Sequence, residues 1–223
     1  MKIAIVITGI ICDYFLDELI ECYDNCRYTK IISTWKYIDS VIIQKLKDNN
    51  FLIIQSDFPN NIHPNSTNYQ NFSTKVGIEY AENIGITHIL RMRADMKCNN
   101  MNRLLEIYTS IYELNKMIFL LHIHNDPRGY LIDYAHFESI PDSKKYICHF
   151  QDSNDSRYPE KFRQETCFET DDFNIITNLV VYSGKYLLEE KIDFAYLKKE
   201  YIHQTTLLKT YVEYNHSIGF SSF

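Results

Sequence analysis

Short apolar runs alternate with helix-period segments over the first half of the chain, and this alternation limits the fold most. Ile3 to Ile7 is a continuous apolar run, as expected for a strand covered on both faces. It ends at Thr8-Gly9, and Asp13 is then placed to cap a helix with apolar positions Phe15, Leu16, Leu19, Ile20 and Tyr23 at the helical period. Lys30 to Thr34 reads as a second strand, Ser40 to Lys47 as a short helix and Phe51 to Gln55 as a third strand. Ser56 to Thr67, rich in Asn, Pro and Ser, reads as a surface loop. Asn68 to Asn83 reads as a helix with Val76, Ile78, Tyr80 and Ala81 towards the sheet and Gly85 as its stop. A strand over 89–96 follows, then a helix from Met101 to Asn115 capped by Asn100, with Leu104, Leu105, Tyr108, Ile111 and Tyr112 on its buried stripe. Met117 to Ile123 is a further strand. A βαβαβαβα order implies an α/β fold: a mostly parallel, Rossmann-like sheet with helices on both faces and right-handed connections.

The second half is less regular. Tyr130 to Phe137 reads as a strand or an edge turn. Pro141 to Glu165 is polar, and its charged run DSNDSRYPEKFR reads as a solvated surface or a mobile lid. Asn178 to Tyr182 is a short strand, and Lys185 to Glu190 and Phe194 to Tyr211 are amphipathic helical segments. No repeat or linker interrupts the 223 residues, so one domain over 1–223 is expected, with an irregular C-terminal half.

The octapeptide from Ile89 to Met96 carries the chemistry. On a strand, Arg91, Arg93 and Asp95 share one side while Leu90 and Met92 take the other. Two guanidiniums beside a carboxylate at the C-terminal end of a strand suit a diphosphate and its divalent cation, and ligands of open α/β sheets bind at that edge. A structural Arg–Asp pair is the competing reading. A net charge of −6 argues against nonspecific nucleic-acid binding, so an anionic ligand needs a local basic spot, for which Arg91, Arg93 and Lys97 are the candidates.

Cysteines at 12, 22, 26, 98, 148 and 167 are scattered. Cys22 and Cys26 lack a second close pair to complete a zinc site, so thiols in a reducing, cytoplasmic setting are expected. No signal peptide and no membrane-length apolar stretch is visible. His122 and His124 alternate on one strand, with Asp126 nearby. Packed strand residues or zinc ligands are both open readings for them, and His136 or His203 is a candidate to complete a metal site at Asp95.

Four segments, in order, carry a resemblance. They are IAIVITGI at the first strand, IISTW at the second, NYQNFSTKVGIEYAENIGITHILRMRAD through the third helix into the charged strand end, and LIDYAHFESIPDSKKY beyond it. Together, over roughly residues 2–145, they resemble the WavE-type lipopolysaccharide-synthesis glycosyltransferases, a family that has the GT-A fold and includes viral relatives. The chain departs from the family pattern at Glu138-Ser139, where Gly is usual. It also departs from the common D-x-D motif, since Arg93 stands where the first Asp would be.

The resemblance implies a GT-A-like fold and transfer of a sugar from a nucleotide-diphosphate-sugar, a UDP-sugar by expectation, to an acceptor hydroxyl. The acceptor would be a glycan or a lipid-linked or protein-linked group. Thr8, Gly9, Ser33, Thr34 and Trp35 would flank the base and ribose, with core packing the alternative for Trp35. Gln70 is a further donor-binding candidate. Arg93 and Arg91 would hold phosphate oxygens, and Asp95 would ligate Mn²⁺ or Mg²⁺. Asp133, a carboxylate inside the apolar run YLIDYAHF, is the first candidate for the general base, with Glu160 and Asp172 behind it. A noncatalytic sugar-nucleotide-binding module of the same fold is the alternative. A nucleotidyltransferase would carry a Gly-rich basic loop where Gly9-Ile10-Ile11-Cys12-Asp13 stands, and a dehydrogenase a G-x-G-x-x-G; neither is present.

Overall fold

The computed structural model describes residues 1–59, 67–112, 116–121, 135–147, 149–152, 154–157, 159–168, 179–183, 191–192 and 194–197. The elements run β1 (Ile3–Thr8), α1 (Asp13–Tyr23), β2 (Thr29–Trp35), α2 (Ser40–Asp48), β3 (Phe51–Ser56), α3 (Thr67–Asn83), β4 (His88–Arg93), β5 (Met96–Cys98) and α4 (Met101–Ile111). They continue with β6 (Met117–Leu121), β7 (Ala135–Ser139), α5 (Ile140–Ile147), α6 (Pro159–Phe168), β8 (Leu179–Ser183) and β9 (Phe194–Tyr196). The described strands form a seven-stranded sheet of order β3-β2-β1-β4-β7-β6-β8 and a two-stranded sheet, β5-β9. β7 runs against its neighbours β4 and β6, while the other pairings of the large sheet are parallel.

Strand alternation divides the core into two layers. Ile5, Ile7, Leu90 and Met92 point to one face, where they meet Leu16 and Leu19 of α1, Leu46 of α2 and Leu104 and Leu105 of α4. Ala4, Val6, Ile31 and Ile89 point to the other, where they meet Ile78 and Ala81 of α3 and Tyr146 and Ile147 of α5. The sheet is thus covered on both faces, which is why its central strands read as unbroken apolar runs.

The helical period placed the buried stripe of α1 correctly: Phe15, Leu16, Leu19, Ile20 and Tyr23 are all buried. Asp13, however, does not cap this helix. Cys12 holds the cap position and makes no side-chain cap bond, and Asp13 sits in the first turn, where a carboxylate favours the helix dipole. Asp39 caps α2 by accepting from Val41 N, and Asn100 caps α4 by accepting from Arg103 N. Gly85 ends α3 with φ of 79°, its N–H on Glu82 O and that of Ile86 on Ala81 O, a left-handed stop that suits glycine.

Lys30 shows how two helix ends are tied down. Its ammonium is mostly buried and donates to Tyr23 O at the end of α1 and to Asn49 O just past α2, above the Phe51 ring at 4.5 Å. One cation thereby serves two carbonyl-rich termini. Lys30→Met is expected to cost about 2 kcal/mol, as charged hydrogen bonds do, and to lower Tm by roughly 4–8 °C in a thermal melt. An unchanged Tm would mean that the two carbonyls are satisfied without the ammonium.

Several expectations are corrected. The strand expected over 89–96 ends at Arg93; Ala94 and Asp95 form a turn and Met96 starts β5. Of the two readings of Tyr130 to Phe137, the strand holds and the edge turn does not: β7 lies between β4 and β6, and residues 130–134 lie outside the described residues. The polar stretch from Pro141 to Glu165 contains α5 and the start of α6, and Ser143, Phe162, Arg163 and Gln164 in it are buried. Arg163 faces the interior because Gln70 of α3 accepts from its guanidinium, a partner that polarity alone does not reveal. Phe194 to Tyr196 is a strand paired to β5, not the start of a helix, because β5 offers it an antiparallel edge. The segment 185–190 and the residues beyond 197 lie outside the described residues. On α3, Ile78 and Ala81 are buried, but Val76 and Tyr80 are only partly so; the sheet side is filled instead by small and polar residues, Ser73, Thr74 and Gly77 among them.

Candidate functional site

The chain leaves β1 for β2 and β3 on one side and returns to β4 on the other, so the topological switch lies between β1 and β4. At such a point the two connections diverge and leave a crevice beyond the strand ends. Thr8, the last residue of β1, is paired with Ser33 on one side and Arg93 on the other. Most of the residues singled out in the sequence therefore converge on one edge, although they come from three strands. Ser33 is fully buried and Thr34 donates from Oγ1 to Gly9 O at 2.9 Å. Gly9 has a φ of 131°, a conformation that favours glycine, and this lets the chain turn sharply off β1.

β4 ends in a fork. Arg93 donates from Nε to Asp95 Oδ1 at 2.9 Å and from Nη2 to Asp95 Oδ2 at 2.7 Å, with side chains 12% and 4% exposed. Such bidentate, charge-assisted pairs are geometrically exacting. The turn beneath it is pinned by Ala94 N on Thr8 O and Leu197 N on Asp95 O, both at 2.9 Å. Asp95 thus joins Arg93 through a turn rather than along a strand. Arg91 lies deeper, 1% exposed, and donates from Nε to Thr8 Oγ1 at 3.2 Å.

Two candidates are occupied in packing and bridging. Trp35 is buried among Phe58, Tyr69 and Phe72, the last stacked at 9°. Core packing was the alternative reading for it. Gln70 accepts from Arg163 Nη2 at 2.9 Å, a link between α3 and α6. Its neighbours do similar work: Asn68 exchanges two bonds with the backbone of Gln151, and Asn71 donates to His149 O at 2.6 Å. The N-terminal turns of α3 therefore clasp the segment that leads into α6.

The sequence reading undervalued three buried ionisable residues on the α3 face. His136 and Glu138, two apart on β7, are both fully buried; His136 Nδ1 lies 2.8 and 2.7 Å from the two Glu138 oxygens. Arg163 is 1% exposed although it falls in the run expected to be solvated. The available signal was an unexplained His and Glu at alternate positions in AHFES. Asp133, His122, His124, Asp126, Asp172 and His203 lie outside the described residues, and Glu160 opens α6.

The donor atoms at the fork can be set against the needs of a divalent cation. Mg²⁺ and Mn²⁺ want several oxygens, whereas both oxygens of Asp95 are held by Arg93. Among the described residues no group of three or more His, Cys, Asp or Glu side chains comes together. The described residues thus do not by themselves supply a cation's ligand set; His136, a candidate to complete it, meets Glu138 through Nδ1. Burial pushes the Cys22 thiol up to about 11, which keeps it protonated near neutral pH. Among the described residues no helix is long and apolar enough to cross a membrane.

No family model and no curated protein matches the chain in sequence. Solved structures do match in shape. S. aureus TarS 1-349 in complex with UDP-GlcNAc is 12% identical with a TM-score of 0.58, over 92% of this chain and 61% of that one. A glycosyltransferase involved in the glycosylation of the major capsid of PBCV-1 is 13% identical with a TM-score of 0.53, over 96% of this chain and 100% of that one. A cytidylyltransferase from Leptospira borgpetersenii is 13% identical with a TM-score of 0.52, over 100% of this chain and 98% of that one. The fold is accordingly α/β and GT-A-like, an architecture shared by glycosyltransferases and nucleotidyltransferases. The chain spans about three fifths of TarS 1-349.

Proposed function

We propose that the chain is a nucleotide-sugar-dependent glycosyltransferase of the WavE type. It would move a sugar from a nucleotide-diphosphate-sugar, a UDP-sugar in the first instance, to a hydroxyl of a glycan, lipid-linked or protein-linked acceptor. The observation that carries this reading is the Arg93–Asp95 fork at the end of β4, in register with Thr8 at the β1/β4 switch. Sugar transfer leaves a nucleoside diphosphate on which negative charge builds, and a guanidinium held in place beforehand lowers the cost of that charge. In this reading Asp95 orients Arg93, and Thr8-Gly9 and Ser33-Thr34 are the proposed neighbours of the nucleotide's base and ribose. Asp133 remains the proposed base for the acceptor hydroxyl. A role for Mn²⁺ or Mg²⁺ at Asp95 is a separate proposal, for which any further ligands would have to come from beyond the described residues.

The noncatalytic module is kept as a second reading on one observation: Arg93 replaces the first acid of D-x-D and occupies the remaining one. A nucleotidyltransferase is disfavoured, because the turn after β1 carries the buried Ile10 and Ile11 instead of a basic glycine loop.

The test is a thermal melt with a panel of nucleotide sugars, with and without Mn²⁺, followed by an assay for nucleoside diphosphate release. A donor at a hundred times its Kd is expected to stabilise by about 2.7 kcal/mol, or roughly 5–11 °C in Tm. A shift together with diphosphate release in the presence of acceptor supports the transferase. A shift without release under any acceptor condition favours the binding module. No shift with any donor sinks both.

A further inference from the structure

The α3 face of the sheet is apolar along Ala4, Val6, Ile31 and Ile89, and then changes character at Arg91, His136 and Glu138. Register places Arg91 directly opposite His136, and Ile89 opposite Glu138, so the three polar side chains share that face. All three are at most 1% exposed. A fold of this type can fill such positions with valine or isoleucine, and desolvating charges there is costly even when they are paired. Departures from the local rule of this kind are expected where function requires them.

The geometry also has a direction. Glu138, level with Ile89 near the start of β4, lies within 2.7 and 2.8 Å of His136 Nδ1. His136 faces Arg91 across the β4–β7 ladder. Arg91 is paired with Val6, yet its Nε reaches Thr8, two residues nearer the C-terminal edge. Thr8 in turn carries Gly9 and, through its carbonyl, the turn that bears Asp95. From α5, the Tyr146 ring meets His136 edge-on at 5.5 Å.

We propose that Glu138 and His136 are positioning residues for the donor site: they set Arg91, and Arg91 sets Thr8 under the nucleotide. The proposal rests on the donor site inferred above. It assigns Arg91 a supporting place below the edge, while Arg93 alone of the two arginines meets the diphosphate.

The consequence is a split in kinetics. Thr8-Gly9 lies on the nucleotide side, away from the bond that breaks, so disturbing it removes binding that ground state and transition state share. Glu138→Gln, which keeps shape and removes charge, is expected to raise the donor KM about tenfold and leave kcat within about threefold. Thr8→Val should do the same. Because both act through Arg91, the double variant should lose little more than either single one. A triple variant replaces the whole group with apolar residues: Arg91→Met, His136→Leu and Glu138→Leu. Exchanges of this kind commonly keep or raise stability, so it should fold and still bind donor at least about tenfold more weakly.

Wild-type donor affinity in the folded triple variant would overturn the proposal. So would strictly additive KM effects of Glu138→Gln and Thr8→Val, or a loss confined to kcat. If the triple variant does not fold, the cycle of the two single changes decides alone. A wild-type protein with no donor response overturns the donor site itself and this inference with it, whereas a wild-type response unaffected by Glu138→Gln overturns only the inference.

Discussion

Arg93→Met is expected to lower the rate of sugar transfer by about 10²–10³-fold, the usual cost of removing one prepositioned donor from a site of developing negative charge. The donor KM should change far less, because the charge on the diphosphate grows as the bond breaks. Arg93→Lys should restore little. An ammonium is a point donor, whereas the contact to Asp95 uses two nitrogens of one planar group at 2.9 and 2.7 Å. Asp95→Asn separates orientation from charge: it keeps the shape of the turn and is expected to reduce kcat about tenfold by loosening Arg93. Steady-state kinetics of the three variants, each with and without Mn²⁺, is the measurement. A full rate in Arg93→Met would remove the guanidinium from the mechanism. Stimulation by Mn²⁺ in the wild type that disappears in Asp95→Asn would place a cation on that carboxylate.

Gly77→Leu is expected to have the largest effect on the fold. A Cβ at this position of α3 would stand 2.6 Å from Val6 Cγ1 and 3.1 Å from Ser33 Cβ. Val6 is β-branched, fully buried and central in the sheet, so it has no alternative rotamer to retreat to. Alanine would gain up to about 1 kcal/mol of helix propensity and lose more to the clash. Leucine should cost about 3 kcal/mol or more, a drop in Tm of roughly 6–12 °C in a domain whose total stability is of order 10 kcal/mol. Ser33 lies beside Thr8 at the proposed donor site, so the displaced helix should also weaken donor binding. An unchanged melting curve for Gly77→Leu would mean that α3 is not seated on β1 and β2 as described.

The close approach at Gly77 explains a residue that the sequence showed only as part of the stretch resembling the glycosyltransferases. The reverse holds for Gln70. It was legible as a helix-start residue and a donor-binding candidate, yet it accepts from Arg163, 93 residues away. Nothing near Gln70 in the chain announces that partner. The same applies to Asn68 and Gln151, separated by 83 residues, and to the charged run DSNDSRYPEKFR. Read locally, that run is a solvated surface. In three dimensions it carries Arg163 and leads to Gln164, both buried, and its Arg157 guanidinium holds Asp155 well below the usual carboxylate range.

Features that depend on near neighbours were legible along the chain. The apolar runs specified the central strands, the 3.6-residue period set the buried stripe of α1, and Gly85 stopped α3. Even the Arg93–Asp95 pair was visible, because its partners stand two residues apart. Which polar residues lie inside was settled only by packing in three dimensions. A buried polar or charged group is tolerated only when another group meets it, and for Arg91 and Asn68 that group arrives from a distant strand or loop. Hydrophobic burial leaves a periodic trace along the chain, whereas hydrogen-bond partnership across a fold leaves none.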